Sequence, residues 1–348
     1  MRLAGKQLPA REDVPQPMTR HLLALFVLVL VPFSTGCIHR SPGTLHESPS
    51  EPLTVAQLRL RDELRRDVEE LSVDIGPRNA AESVSTVLAA ENWLIDRLEA
   101  YGIEPRRDEV DINVSTVANI EASFPGKTRP NEIVLIGAHY DTVAGSPGAN
   151  DNASGVALLL ATAKRLVAEP TDRTVRIVFF VNEESPFNSG IQMGSNVYAK
   201  RSRAGDDAIV LMIAVDSIGY YMNEKGSQNR PPLVGQLLPS RGNFVAFLSD
   251  RENRGLLDRV VAVFQEQSRF PSIGVASDSK QLNRSDHAPF LWQGYAAILM
   301  SDTSEGRDPH YHSPTDTAGN LDYDQMARMA DGFVETVRVL ASGSMQLP

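Results

Sequence analysis

The feature that most constrains this fold is a near-continuous apolar run at residues 175–181, close to the middle of the chain. A strand that is apolar on both faces must be covered on both faces, which is typical of the centre of a parallel sheet. Two further apolar runs, at residues 132–137 and 209–215, have the same character. Together the three runs predict a central sheet buried between two layers of helices.

Segments with the apolar spacing of helices alternate with these predicted strands. Helices are predicted at residues 53–73, 84–101, 155–168, 195–203, 255–267 and 323–340, further strands at 107–115, 117–124 and 296–300, and a loop at 221–242. The first two of these strands form a predicted hairpin, so the sheet should be mixed although mostly parallel. This alternation predicts a three-layer α/β/α fold, which binds ligands at the C-terminal ends of its strands.

The first 36 residues have the features of an export signal. Basic residues precede an apolar run at residues 22–33, which is shorter than the roughly 20 residues of a membrane span. Small residues follow, and then Cys37, the only cysteine in the chain. This arrangement resembles a bacterial lipoprotein signal, in which the cysteine carries the lipid, and an ordinary signal with a chance cysteine is the alternative. We therefore expect an exported protein anchored to a membrane of the cell envelope, or otherwise a periplasmic or secreted one.

The remainder of the chain divides into a short linker and one folded domain. Residues 37–52 are rich in Ser, Pro and His without apolar periodicity, which predicts a flexible tether. Residues 53–348 show no internal repeat and no break in composition, so we expect a single catalytic domain. The net charge of −10 argues against nucleic acid as a partner. The sequence leaves the oligomeric state open.

Five short motifs in this domain offer groups that bind metal ions. Their candidate residues are His139 with Asp141, Asp151, Glu183 with Glu184, Asp216, and Tyr311 with His312. Each motif alone has a plainer interpretation, such as a surface loop or a helix cap. Taken together they supply imidazoles and carboxylates but no thiolate. That set suits a pair of hydrolytic divalent cations better than a structural zinc site.

The content and order of the five motifs resemble the di-zinc exopeptidase family, which includes secreted bacterial aminopeptidases, glutamate carboxypeptidase and glutaminyl cyclase. The resemblance implies a zinc exopeptidase-like fold and two zinc ions per chain. It implies that His139 and Asp216 bind one ion, that Glu184 and His312 bind the other, and that Asp151 bridges both. It also implies that Glu183 is the general base, that His310 is not a ligand, and that the peptide bond after Asp151 is cis.

The chemistry expected of such a centre is hydrolysis of a peptide bond. Two divalent ions about 3.5–4 Å apart lower the pKa of a shared water and polarise the scissile carbonyl. Glu183 would take the proton of that water and pass it to the leaving amine. Asp141 is placed to orient His139, and Tyr311 to donate to the developing oxyanion. Adjacent residues of a relaxed strand point to opposite faces, so Glu183 and Glu184 can serve one site only where the strand ends or twists.

The expected function is that of a zinc-dependent aminopeptidase that removes N-terminal residues from peptides. Asp286 and His287 lie in a further motif that resembles one of the same family, and the resemblance implies that this motif lines the substrate side of the site. The segment after Glu184 is longer than the short turn of many family aminopeptidases, so we expect it to reshape the specificity pocket. A one-zinc glutaminyl cyclase and a non-catalytic metal-binding envelope protein are the alternatives, and manganese or cobalt are alternatives to zinc. The preferred N-terminal side chain stays open.

Overall fold

A nine-stranded mixed sheet forms the centre of the described part of this chain. The computed structural model describes residues 38–43, 47, 49, 51–112, 115–188, 190–230, 238–279 and 284–347. The predicted signal segment and Cys37 lie outside these residues. The helices pack on both faces of the sheet, so the predicted three-layer α/β/α fold with a mixed sheet is confirmed.

The strands, in chain order, are β1 (Ile38–Arg40), β2 (Arg106–Asp111), β3 (Thr116–Phe124), β4 (Arg129–His139), β5 (Arg173–Phe180), β6 (Ala208–Val215), β7 (Val245–Ser249), β8 (Ser272–Ser277) and β9 (Ala297–Ser301). Their order across the sheet is β1-β8-β7-β9-β6-β4-β5-β3-β2. The pairs β4–β5, β4–β6, β6–β9 and β7–β8 are parallel, and the other pairs are antiparallel. The predicted hairpin of β2 and β3 is present.

The helices are α1 (Val55–Glu69), α2 (Val84–Ala100), α3 (Gly155–Ala168), α4 (Gly194–Ala204), α5 (Arg254–Ser268), α6 (His287–Trp292) and α7 (Tyr323–Ala341). Side chains of α1, α2, α3, α5 and α7 belong to the larger core, and those of α4 and α6 to a smaller core on the other face. Polar caps fix several helix starts: the Thr54 hydroxyl accepts the N–H of Gln57, and the Asp322 carboxylate accepts that of Gln325. None of the helices in the described residues is long and apolar enough to cross a membrane.

The structure corrects the sequence prediction at the outer edge of the sheet. Residues 38–40 were assigned to a flexible tether, but they form β1, which pairs antiparallel with β8. The strands β7 and β8 and the short helix α6 were not predicted either. Strand β1 has only three residues, too few to show a periodic pattern, and it pairs with β8.

Candidate metal centre

Three neighbouring parallel strands deliver candidate ligands to one edge of the sheet. His139 is the last residue of β4, the Glu183–Glu184 pair follows β5, and Asp216 follows β6. Because β4 lies between β5 and β6 in parallel register, the three chain ends are adjacent. The strongly apolar strands are buried, and the polar groups begin where the strands stop. This edge is where open α/β sheets bind their ligands.

Both glutamates reach this site because the chain leaves the strand geometry just before them. Strand β5 ends at Phe180, and Asn182 has a left-handed backbone with φ of 60°. The two carboxylate oxygens of Asp141 then accept the backbone N–H groups of Glu183 at 3.0 Å and Glu184 at 3.1 Å. The requirement that the strand end here is therefore met. Asp141 holds the glutamate pair as well as the histidine for which it was proposed.

His139 is oriented by the backbone of Asp141 more closely than by its carboxylate. Its Nδ1 lies 3.1 Å from the Asp141 carbonyl oxygen and 3.6 Å from the carboxylate Oδ1. Since a carbonyl only accepts, Nδ1 carries the proton in the neutral ring, and Nε2 presents its lone pair. Nε2 is buried, makes no hydrogen bond, and lies 3.1 Å from Asp151 Oδ1. A nitrogen lone pair and a carboxylate oxygen repel each other at this distance unless a proton or a cation lies between them.

Asp151 joins two clusters of candidate ligands, since its two carboxylate oxygens face different histidines. Oδ1 lies 3.1 Å from His139 Nε2, and Oδ2 lies 3.1 Å from His312 Nε2. His139, Asp151 and Asp216 form one group with metal-binding geometry, and Asp151, Glu184 and His312 form the second. Asp216 Oδ1 lies 3.7 Å from His139 Nε2, and Glu184 Oε1 lies 3.0 Å from His312 Nε2. His310, as expected, belongs to neither group and contacts Thr315 instead.

The electrostatics of the two groups are those of a site that holds cations. Burial raises the pKa of Glu184 to about 7, and the neighbouring Asp151 carboxylate adds to this shift. Burial likewise raises the pKa of Glu183 well above its usual range, against the effect of His139. Burial opposes a charged His312, yet hydrogen bonds to Asp151 and Glu184 raise its pKa to about 10. Closely placed buried carboxylates repel one another, and the observed oxygen and nitrogen donors suit divalent zinc.

The chain path around Asp151 shows how its carboxylate is held between the two groups of candidate ligands. The prediction of a cis peptide bond between Asp151 and Asn152 is confirmed. The Asn152 side chain bonds to Val215 and Ser217 on either side of Asp216, and so ties the two ligand segments together. The carboxylate of Asp316 accepts the N–H of Asn150 at 2.8 Å and that of Asp151 at 3.1 Å. Asp316 and Asn152 lie close to candidate ligands in the sequence, but nothing in their spacing predicts these contacts.

A second supporting residue, Arg78, gave no sequence signal at all. Its side chain is fully buried and its guanidinium donates to backbone carbonyls, among them Tyr140 at 2.7 Å, Pro147 at 2.8 Å and Gly148 at 3.2 Å. Tyr140 directly follows the candidate ligand His139, and Gly148 lies three residues before Asp151. Arg78 therefore fixes the two segments relative to each other. Burial lowers its pKa to about 10, and the Asp141, Asp316 and Asp151 carboxylates oppose this shift.

The remaining predicted residues divide into those on the cleft and those beneath it. Tyr311 lines the cleft, and its ring stacks on His312 with centroids 3.8 Å apart. Burial and the nearby carboxylates, Asp151 first, raise the pKa of Tyr311, so its hydroxyl stays a proton donor. Asp286 and His287 are buried and are not part of the cleft wall, whereas Ser285 just before them is. Asp286 lies close enough to Glu183 for its charge to raise the pKa of that residue, and contact of Asp286 and His287 with substrate stays a prediction.

The candidate ligands open into a cleft of about 550 Å³. Glu183, Glu184, Asp151 and Asp216 line one end. Asn188, from the long segment after Glu184, also lines it, as expected for a segment that shapes the specificity pocket. The other end is bounded by apolar residues of the outer strands. The geometry is that of a hydrolase site with buried acids at one end and room for an extended ligand.

Comparison with known proteins identifies the family. The model of peptidase family M28 matches residues 119–337, which is more than half of the chain. The chain belongs to peptidase family M28. This M28 peptidase is 30% identical over 326 residues to the uncharacterised protein YfbL of Escherichia coli K12, with 90% of this chain and 95% of YfbL covered.

Two further matches concern activity and fold. The M28 peptidase is 25% identical over 337 residues to a probable leucine aminopeptidase of Arthroderma otae, with 89% of this chain and 82% of that protein covered. Its fold is similar to that of BSAP, a zinc aminopeptidase from Bacillus subtilis, with a TM-score of 0.65 and 16% identity over 83% of this chain and 96% of BSAP. The family and the aminopeptidase relatives show that the chain is a hydrolytic exopeptidase.

Proposed function

We propose that this exopeptidase is an aminopeptidase that works with two zinc ions and removes N-terminal residues from peptides. The observation that carries the proposal is the position of Asp151, whose two carboxylate oxygens each face a separate group of ligands. Aminopeptidase activity is supported by the relatives. Zinc is supported by the donor set, two imidazoles and three carboxylates without a thiolate.

Each residue of the centre has a defined task in this proposal. Bound zinc would polarise the scissile carbonyl and acidify water. Glu183 lines the cleft beside both groups and belongs to neither, so it is free to take a proton from water and deliver it to the departing amine. Tyr311, held by stacking on His312, would donate a hydrogen bond from its hydroxyl to the oxygen that gains charge. Asp141 keeps the Glu183 backbone in place.

The proposal is tested by metal content together with substrate class. Purified protein is stripped with a chelator, reconstituted with zinc, and assayed on a panel of aminoacyl anilides and on glutaminyl peptides. We expect about two zinc equivalents per chain, loss of hydrolysis on stripping, and recovery with zinc. One equivalent at full activity, or cyclisation of glutaminyl peptides without hydrolysis, would overturn it and favour a glutaminyl cyclase.

The chain offers a matched pair of histidines for this test. His312 faces Asp151 and Glu184, whereas His310, two residues earlier, bonds to Thr315 outside both ligand groups. We expect His312→Ala to lose one zinc equivalent and most activity, and His310→Ala to keep both. If both variants retained two equivalents, the assignment of the second ion would be wrong.

We also propose that the protein is exported and anchored through a lipid on Cys37. The support is the predicted signal segment and the single cysteine that follows it. Cells expressing the full chain are labelled with a fatty-acid analogue, in the wild type and in Cys37→Ala. Label on the wild type alone, with membrane-bound peptidase, is the expected result. Equal labelling of both chains, or only cytoplasmic protein, would contradict the anchor.

A further inference from the structure

The cleft extends well beyond the candidate metal centre, across one face of the outer strands. Leu299 of β9, Leu248 of β7 and Val275 of β8 line it. These three residues form one row across the sheet, because Leu248 is opposite both Leu299 and Val275 in the strand register. Ile38 of β1 adds the outermost apolar side chain, next to β8. We call this surface, formed by Leu299, Leu248, Val275 and Ile38, the apolar floor.

The floor belongs to the sheet face that carries the smaller core, since Leu299 is part of that core and Leu248 packs against it. On the opposite face the same strands pack through Val245 and Phe247 into the larger core with α5. On the floor side, α6 contacts β6 and β9, and Leu238, from the loop before β7, packs with Ile38 and Leu248 against the apolar cluster that includes Val275. Side chains of a strand alternate between faces, so the floor residues all point into the cleft.

The outer limit of the floor is a strand held by specific contacts. The three residues of β1 pair in register with β8, with Ile38 opposite Ser277. His39, on the other face of β1, places Nε2 2.8 Å from Asp258 Oδ1 of α5. Beyond the strand, Ser41 donates its N–H to Gly274 at 2.9 Å. Ile38 is thus a fixed wall of the cleft, although it comes from the segment that the sequence alone assigns to a tether.

The width of the floor decides which part of a substrate it fits. From β6, which carries Asp216, to β1 there are four steps across the sheet. At about 4.8 Å per step, Ile38 lies roughly 19 Å across the sheet from the Asp216 end of the cleft. A single leucine side chain spans far less than this distance. An extended peptide, at about 3.3 Å per residue, covers it with five or six residues.

We propose that the part of the substrate beyond the scissile bond lies along the apolar floor, and that Ile38 contacts the side chain about five or six residues from the peptide's N-terminus. This deepens the proposed aminopeptidase function and rests on it. The floor is continuous with the candidate ligands in one cleft, so a peptide whose first residue is held there follows it outward. The substrate class is therefore an oligopeptide with an apolar residue at that position.

Kinetics on peptides of increasing length test this inference. The zinc-reconstituted protein is assayed on peptides of two, four and six residues that begin with leucine, the longest ending in two leucines or in two aspartates. We expect kcat/KM to increase from the two-residue to the six-residue peptide. Among the six-residue peptides, the one that ends in leucines should have a kcat/KM about 10-fold higher, through a lower KM, because an aliphatic side chain is buried. A kcat/KM that stops rising at four residues, or no difference between the two endings, would overturn the inference.

Variants of Ile38 separate this contact from general effects on the fold. Ile38→Thr keeps a β-branched side chain, which suits a strand, while Ile38→Ala shortens it. For both we expect the preference for the leucine ending to fall by about 5-fold or more, with unchanged thermal unfolding. The matched control is Ile95→Ala in α2, a half-buried isoleucine that does not line the cleft. An equal loss of preference in the control, or full preference in the Ile38 variants, would contradict the assignment.

Calorimetric binding of the same peptides distinguishes failure of the inference from failure of the proposed function. One outcome is that the wild type hydrolyses none of the peptides but binds the leucine-ended peptide more tightly than the dipeptide, and that Ile38→Thr removes this difference. In that case the inference about the apolar floor is correct and the proposed activity is wrong. If hydrolysis is normal and neither length nor Ile38 affects binding or turnover, the activity stands and the floor proposal is wrong. Absence of both hydrolysis and binding contradicts both.

Discussion

The two ends of the cleft are built on opposite principles. At the inner end, buried polar side chains are held by several hydrogen bonds each; Asp141 alone accepts the backbone N–H groups of two glutamates. At the outer end, short strands contribute apolar side chains, and the last wall is a three-residue strand. Directional bonds fix positions within tenths of an ångström, whereas apolar contact tolerates many shapes. The inner end therefore suits one chemical step, and the outer end suits variable peptide sequences.

The inner end carries its own supporting layer, and the outer end does not. Arg78, Asn152 and Asp316 each join two chain segments around Asp151. On the floor, β1 is held by its strand pairing, the partly exposed hydrogen bond between His39 and Asp258, one backbone hydrogen bond and the packing of Ile38. A single substitution at the inner end should thus cost much more than one at the outer end. Four variants, from the largest expected effect to the smallest, test this difference.

Glu183→Gln should have the largest effect, a loss of kcat of about 10²–10⁴-fold, because it removes a proton acceptor and almost nothing else. The zinc content should stay at its wild-type value. Glu184→Gln is the matched control, since the adjacent residue is a candidate ligand and its variant should lose zinc. Metal analysis beside steady-state kinetics makes the measurement. Loss of zinc in Glu183→Gln, or wild-type kcat, would show that the two roles are assigned wrongly.

Arg78→Met should destabilise the fold by several kcal/mol. The methionine fills much of the volume but leaves buried carbonyls, including those of Tyr140 and Gly148, without a donor, at about 1–3 kcal/mol each. Denaturant unfolding of the metal-free protein measures the loss. Arg66→Met is the control, since exposed Arg66 donates to a carbonyl within its own helix. Similar losses for the two variants would mean that burial of Arg78 has no special role.

Asp316→Asn should weaken zinc binding by roughly 10–100-fold, as for partners that orient a ligand, with little change in unfolding free energy. In the wild type each carboxylate oxygen of Asp316 accepts one backbone N–H group, from Asn150 or from Asp151. The asparagine amide keeps one of these acceptors but places its NH₂ group against the second N–H group. Competition with a chromophoric chelator gives the affinity. The exposed Asp324→Asn serves as the control. An unchanged zinc affinity would show that Asp151 is aimed without Asp316.

His39→Ala, at the outer end, should have the smallest effect, about 0.2–1 kcal/mol of unfolding free energy. Its pair with Asp258 is partly exposed, with 30% and 27% of the two side chains accessible, so solvent screens it. A double-mutant cycle with Asp258→Asn isolates the pair. A coupling energy well above this range, or a loss of zinc, would mean that the two ends of the cleft are not independent.

Much of the inner end was predictable because its signals are local. An apolar run followed at once by carboxylates gave β5 and the Glu183–Glu184 pair, and α3 was predicted with its observed bounds. Four of the five motifs that the structure brings together lie within a few residues of a strand or helix end, and the fifth, with His312, lies in the loop between β9 and α7. Apolar periodicity and the types of candidate ligands can be read from a few consecutive residues, so predicting them requires no knowledge of the rest of the chain.

The residues that support the inner end, such as Arg78 and Asp316, could not be predicted, because their contacts are far apart in the sequence. Arg78 lies about 70 residues before the glycine carbonyl to which it donates, and Asp316 lies about 165 residues after Asp151. Nothing in the residues around either one marks such a partner. Asp286 and His287 are the opposite case, since their local motif predicts a position on the substrate side but both side chains are buried and neither lines the cleft. Which polar residue faces a cleft depends on packing, and packing is a property of the whole fold.

The sequence by itself determined the alternation of strands and helices, the edge of the sheet that binds ligands, and the chemical types gathered there, because each is encoded in short segments. Only the tertiary structure decided that Arg78 and Asp316 hold the segment of Asp151 in place and that β1 closes the far end of the cleft. Strand β1 is extended because β8 offers it a partner. Long-range pairing of this kind arises only when distant segments meet, and no local pattern of residues specifies it.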